Sequence, residues 1–138
     1  MVSRYHGGAF VVFSKTLNEK LEIAAVEGSF ASVIGGAPAA ATVFARDVEA
    51  RSQQHPQVRE AGERVRQATG SEAGTARTRL AEITAAVRSA KLSEVAEEFD
   101  RVHTVQRALA VGSVDRIIPA EALRPYIVDA VERGMSAV

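Results

Sequence analysis

Three histidines, a scatter of serines and two glycine pairs are the residues of this 138-residue chain that invite a chemical reading. His6, His55 and His103 stand far apart, with neither HxxxH nor histidine–carboxylate spacing, so no metal site is expected. Ser14 and Ser29 lie outside any GxSxG elbow, and no GxxxxGK phosphate loop occurs. With no cysteine there is no thiolate nucleophile, thiolate zinc site or disulfide. The carboxylates Glu97-Glu98 and Asp47/Glu49 fall on helix faces predicted to be solvated. The main chain remains. Gly7-Gly8-Ala9 at the start of a helix presents N–H groups that lack intrahelical partners, with the positive end of the dipole behind them. Glycine lets a ligand approach closely, and preorganised N–H donors stabilise an oxyanion without any side chain. Gly35-Gly36-Ala37, just before Pro38, has the same form. A turn that requires positive φ would also account for either pair.

The elements that position these turns follow from periodicity and punctuation. Ala9, Phe10, Val12, Phe13 and Leu17 suit a buried helix leaving the first glycine pair, and the same residues would suit a strand. LEIAAVEG and SFASVIGG, each closed by glycine, predict two strands. Pro38 opens a helix whose apolar face carries Val43, Phe44 and Val48, and His55-Pro56 ends it. Amphipathic helices follow over Val58–Ala68, Leu80–Val87 and Leu92–Val102, the first two separated by Gly70 and Gly74 and the last capped by Ser93. His103 extends the last stripe and reads as a half-buried packing residue. Gly112 stops that helix, VDRII predicts a short strand or edge segment, and Glu121–Arg133 a final helix closed by Gly134. Strands interleaved with helices give an α/β chain.

Composition narrows the function. Seventeen basic and seventeen acidic residues cancel, so no basic field favours nucleic acid. With 5% aromatic residues and no tryptophan, base-stacking platforms are not expected either. The longest uncharged stretch, GSFASVIGGAPAAATVFA, is broken by Gly35, Gly36 and Pro38, so no membrane span is expected. No export signal is visible, and the expected location is cytoplasmic.

Three segments carry a family resemblance. HGGAFVVFSKTLN, SVIGGAPAAATVFARDVEAR and FDRVHTVQRALAVGSVDRIIPAEALRPYIVDA resemble, in this order, the C-terminal half of biotin-dependent acyl-CoA carboxyltransferases. These are the acetyl- and propionyl-CoA carboxylase carboxyltransferase domains of the crotonase superfamily. The matching features are the Gly-Gly-Ala-aromatic turn, Ser14-Lys15-x-Leu17, and Gly112-x-Val114-Asp115-x-Ile117-Ile118-x-Pro. The resemblance covers roughly residues 5–53 and 92–133. His6 stands where many relatives have tyrosine, and Ala37-Pro38 replaces a commoner Glu-Gly. The family domain is several times longer than this chain.

The resemblance implies a partial crotonase-like (ββα-type) domain over 1–138: an α/β body over 1–55, a helical segment over 56–111, and a terminal strand and helix over 112–138. It implies the biotin-side half of a carboxyl-transfer site, with carboxybiotin on a carrier as cofactor and an acyl-CoA as substrate. The backbone N–H groups of Gly8 and Ala9 would form the oxyanion hole for the biotin ureido oxygen, within a biotin-binding turn of Gly7, Gly8 and Ala9. Gly35 and Gly36 would support it, and Val11 would bear on acyl-chain preference. Implied partners are an N-terminal carboxyltransferase half, biotin carboxylase and biotin carrier components, and further copies in a homo-oligomer. A non-catalytic oligomerisation module and a biotin-dependent decarboxylase subunit are the alternatives.

Overall fold

The computed structural model describes residues 1–5, 8, 12, 13 and 15–136. Its helices and one small parallel sheet place it in the mixed α/β class. In chain order the elements are β1 (Ala24–Val26), α1 (Gly36–Thr42), α2 (Ala45–Gln54), α3 (Pro56–Gln67), α4 (Glu72–Val102), α5 (Val105–Ala110), β2 (Arg116–Ile118), a 3-10 turn (Ala120–Ala122) and α6 (Leu123–Ser136). The chain divides into two compact units, one of Met1–Ile34 with Arg101–Val138 and one of Gly35–Asp100. These boundaries fall inside the segments drawn from the sequence at 55 and 111.

The first unit is organised by β1 and β2, which pair in parallel with Ala24 opposite Arg116, Ala25 opposite Ile117 and Val26 opposite Ile118. Strand side chains alternate between faces, and both faces here are covered. Ala25 packs with Val105, Ala108 and Val114 on one side. Ala24, Val26 and Ile118 meet Ala122, Leu123 and Tyr126 on the other. The ladder continues past the strands through Glu27 N–H to Ile118 O at 2.9 Å and Asp115 N–H to Ile23 O at 2.8 Å.

The strand expected over SFASVIGG does not form. Phe30 makes single bridges to Arg4 and Thr104, while its neighbours bend away. Serine hydroxyls take over the local polar groups: Ser29 Oγ accepts the Ser3 N–H at 3.0 Å, and Ser32 Oγ donates to Ile34 O at 3.0 Å. Side chains that satisfy nearby backbone compete directly with a ladder. The apolar face expected after the first glycine pair is also corrected where it is described, since Val12, Phe13 and Leu17 are all exposed.

The second unit is helical. Pro38 lies in the first turn of α1, as its missing N–H favours, but the helix expected to run through to Gln54 breaks at Val43-Phe44. Val48 is buried beside Ala40 and Val95, whereas Val43 is exposed, because the break turns it away from that cluster. His55 has ψ of 133°, off the α region, as a residue before proline must be, and Pro56 begins α3. Gly70, at φ +58°, makes the next turn, while Gly74 lies inside α4. The two helices expected over 80–87 and 92–102 are one 31-residue helix, with Ser93 in its interior. Nothing between Val87 and Leu92 breaks it: Ala and Lys are good helix formers.

That helix ends at Val102, before Gly112. Thr104 caps α5 by accepting the Arg107 N–H at 3.3 Å, and Gly112, at φ +77°, follows α5. The last helix begins at Leu123 with Pro125 in its first turn, and it passes through Gly134.

Candidate functional site

Of the expected site residues, Gly7, Ala9 and Val11 lie outside the described residues, as do His6 and Ser14. Gly8 is helical and exposed, and a Cβ built on it would meet nothing within 4 Å.

Residues before and after Gly8 in sequence make side-chain contacts. Arg4 forms a bridge with Phe30, its guanidinium lies 4.4 Å from the Phe30 ring centroid, and Nη1 donates to Ser32 Oγ at 2.7 Å and to Ile34 O at 3.1 Å. On the other side, Lys15 forms an ion pair with Asp115. The second carboxylate oxygen of Asp115 accepts the Ile23 N–H at 2.7 Å. That hydrogen bond and Lys15 hold the Asp115 carboxyl below its ordinary range. Burial, with the Asp115 charge behind it, pushes the Tyr5 phenol up.

Gly35 and Gly36 belong to the second unit. Gly35 is the extended residue before α1, at φ −77° and ψ 167°. Gly36 is buried, and its N–H donates to Asp100 Oδ1 at 3.0 Å. A Cβ there would lie 2.1 Å from Ala96 O and 2.8 Å from Asp100 Oδ2. The amide expected to face cofactor is thus committed to a carboxylate inside the fold, and glycine is needed because α4 passes against its Cα.

The sequence reading missed Asp115 and Asp100 as organisers. Asp115 had a visible signal: it is an acidic residue within the short strand-like segment Val114–Ile118. Nothing local marks Asp100 among the many charges of α4.

A groove of about 990 Å³ lies between α3 and the first half of α4, its walls including Arg64, Arg79, Ala61, Ala76 and Ile83. No expected site residue lines it. Both arginines are engaged by neighbours on their own helices, Arg64 with Glu60 at 2.6 Å and Arg79 with Glu82 at 3.0 Å. Among the described residues no group of histidine and carboxylate side chains is placed to hold a metal ion. His103 is half-buried, with its carbonyl accepting the Ala31 N–H at 2.8 Å. No helix among the described residues is long and apolar enough to cross a membrane. No protein-family model matches the chain, and no curated protein matches it either.

Proposed function

We propose that this chain is the biotin-side half of an acyl-CoA carboxyltransferase site, within a partial crotonase-like domain. The observation that carries the reading is the ion pair between Lys15 and Asp115, 100 positions apart. Lys15 belongs to the first resembling segment and Asp115 to the third. The second and third segments are likewise tied, through the Gly36 N–H and Asp100. Segments that resemble one family in order are therefore also in contact.

Bound carboxybiotin would supply the carboxyl group and then the base that takes the acyl-CoA α-proton. The chain's own contribution is electrostatic. The Gly8 N–H, with that of Ala9, would donate to the ureido oxygen as negative charge grows there, with the helix dipole aligned behind it. When bound, carboxybiotin would give up its carboxyl group and take the α-proton in exchange, leaving the carboxyl group on the thioester α-carbon. No side-chain base is required. Val11 is proposed to border the acyl chain.

Acyl-CoA positioning is assigned to an N-terminal carboxyltransferase half, and carboxyl supply to biotin carboxylase and carrier components. Exposed apolar side chains at Val12, Phe13 and Leu17, and along α6 at Ile127, Val131 and Met135, support association with that half or with further copies. A biotin-dependent decarboxylase subunit would use the same fold and cofactor with the carboxyl transfer running in the opposite direction. The test is complementation: the chain with a separately expressed N-terminal half should decarboxylate malonyl-CoA in the presence of free biotin. Gly8→Pro removes one donor and should abolish that activity while leaving the helical circular dichroism intact. No turnover from a demonstrably formed complex would refute the reading in favour of a non-catalytic oligomerisation module.

A further inference from the structure

We infer that the outward face of α6 is a self-complementary docking surface on which a second copy of this chain pairs in the antiparallel sense. The inference goes beyond the carboxyl-transfer reading and does not rest on it. Helix α6 turns through about 100° per residue and so presents three faces. One sets Leu123 and Tyr126 against the buried cluster of Ala24, Val26 and Ile118. A second carries Asp129 and Arg133, which pair with each other, while Arg133 also reaches Glu22 at 2.9 Å. The third carries Ile127, Val128, Val131 and Met135, each more than half exposed, within an arc of about 100°. Single exposed apolar side chains are ordinary on a surface. A stripe that repeats at i, i+4 and i+8, through Ile127, Val131 and Met135, marks a helix face built to pack.

Charge identifies what packs there. Arg124 lies at the N-terminal end of the stripe and Glu132 borders it one turn after Val128. Neither makes an ion pair among the described residues, although Asp129 and Arg133 on the same helix both do. The two are opposite in sign and eight positions apart, or about 12 Å along the axis. A two-fold axis between Val128 and Val131 sets Val128 on the second copy's Val131. Arg124 then lies over the second copy's Met135, within one turn of its Glu132, so its stem covers the thioether while the guanidinium meets the carboxylate. Symmetry forms that ion pair twice. A parallel arrangement would instead oppose Arg124 to Arg124, Glu132 to Glu132 and one helix dipole to its like. The stripe offers roughly 400 Å² of apolar surface per copy, and with its rim the pairing covers about 1,000 Å² in all, the low end for a specific interface. The dimer is therefore a weak, reversible one.

Sedimentation velocity on the full chain, from about 1 to 200 μM, tests this. The mass should move reversibly from 14.7 kDa towards twice that value, with a Kd of about 1–100 μM. Val131→Asp, at an exposed position, should raise Kd about tenfold or more and leave the helical circular dichroism unchanged. Arg124→Glu and Glu132→Arg should each weaken pairing about threefold or more at low salt. A chain carrying both changes should regain wild-type affinity, as should an equimolar mixture of the two single variants. A wild type that stays monomeric across that range would overturn the inference, as would association that Val131→Asp leaves intact. Single charge variants that pair as tightly as wild type, or a double variant no tighter than the singles, would overturn the antiparallel register.

Discussion

Replacing Gly36 by alanine adds one methyl group where α1 meets α4. That Cβ would stand 2.1 Å from the Ala96 carbonyl oxygen, 2.7 Å from its carbon and 2.8 Å from Asp100 Oδ2. An ordinary carbon–oxygen contact is about 3.3 Å or more, so the Ala96 turn of α4 must retreat by roughly 1 Å. Overpacking of this kind costs about 1–3 kcal/mol. The retreat also stretches the hydrogen bond from the Gly36 N–H to the Asp100 carboxylate, worth about 1.5–3 kcal/mol for a charged acceptor. The opposing gain from replacing a helical glycine is at most about 1 kcal/mol. The net expectation is a destabilisation of about 3 kcal/mol, or roughly 12 °C in Tm. Urea unfolding followed by helical circular dichroism measures it, because the second unit carries α1, α2, α3 and nearly all of α4. Gly62→Ala is the internal control: Gly62 lies inside α3 with nothing within 4 Å of a built Cβ, so it should stabilise by about 0.5–1 kcal/mol. A Gly36→Ala protein within 0.5 kcal/mol of wild type, or one that tracks Gly62→Ala, would refute the close approach of α4 to Gly36.

Ser29→Ala removes the buried hydroxyl that accepts the N–H of the exposed Ser3, and losing that hydrogen bond should cost about 0.5–1.5 kcal/mol in urea unfolding. Glu22 accepts from the Tyr126 hydroxyl at 2.8 Å and from Arg133 at 2.9 Å, and these hold its carboxyl below the usual range. A depressed folded pKa means that this stabilisation is present above the unfolded value and is lost as pH falls through the folded one. With no tryptophan, tyrosine emission should report the release of Tyr126 as pH falls below the ordinary carboxylate range, and Glu22→Gln should remove that acid step. Arg51 joins Asp47 on its own helix to Glu94 and Glu98 on α4. Arg51→Met should lower Tm at low salt, and the deficit should shrink in 1 M salt if these exposed pairs are what it loses.

Local signals in the sequence determined a good part of this protein. Proline after His55 ended α2, since the α region is closed to a residue before proline. Gly70 and Gly112 marked turns because their φ is positive, and the short apolar runs around Ala24–Val26 and Arg116–Ile118 became strands. The α/β class and the half-buried place of His103 followed from the same kind of evidence. Contacts distant in sequence decided the rest. Phe30 sits where serine hydroxyls and two isolated bridges displaced a strand, and no local pattern encodes those partners. Helix α4 runs unbroken through Ser93 because a residue that can cap a helix also tolerates its interior. Gly36 reads in sequence as a turn glycine, yet its requirement comes from a carbonyl on a helix 60 residues later. Asp115 is one of two adjacent charges, with Arg116, between Val114 and Ile117 until the parallel register sets it against Ile23 and Lys15. Propensity and punctuation act within a few residues and so can be read from the chain alone. Which amide a carboxylate takes depends on how β1 meets β2 and α1 meets α4, and only the folded structure fixes that.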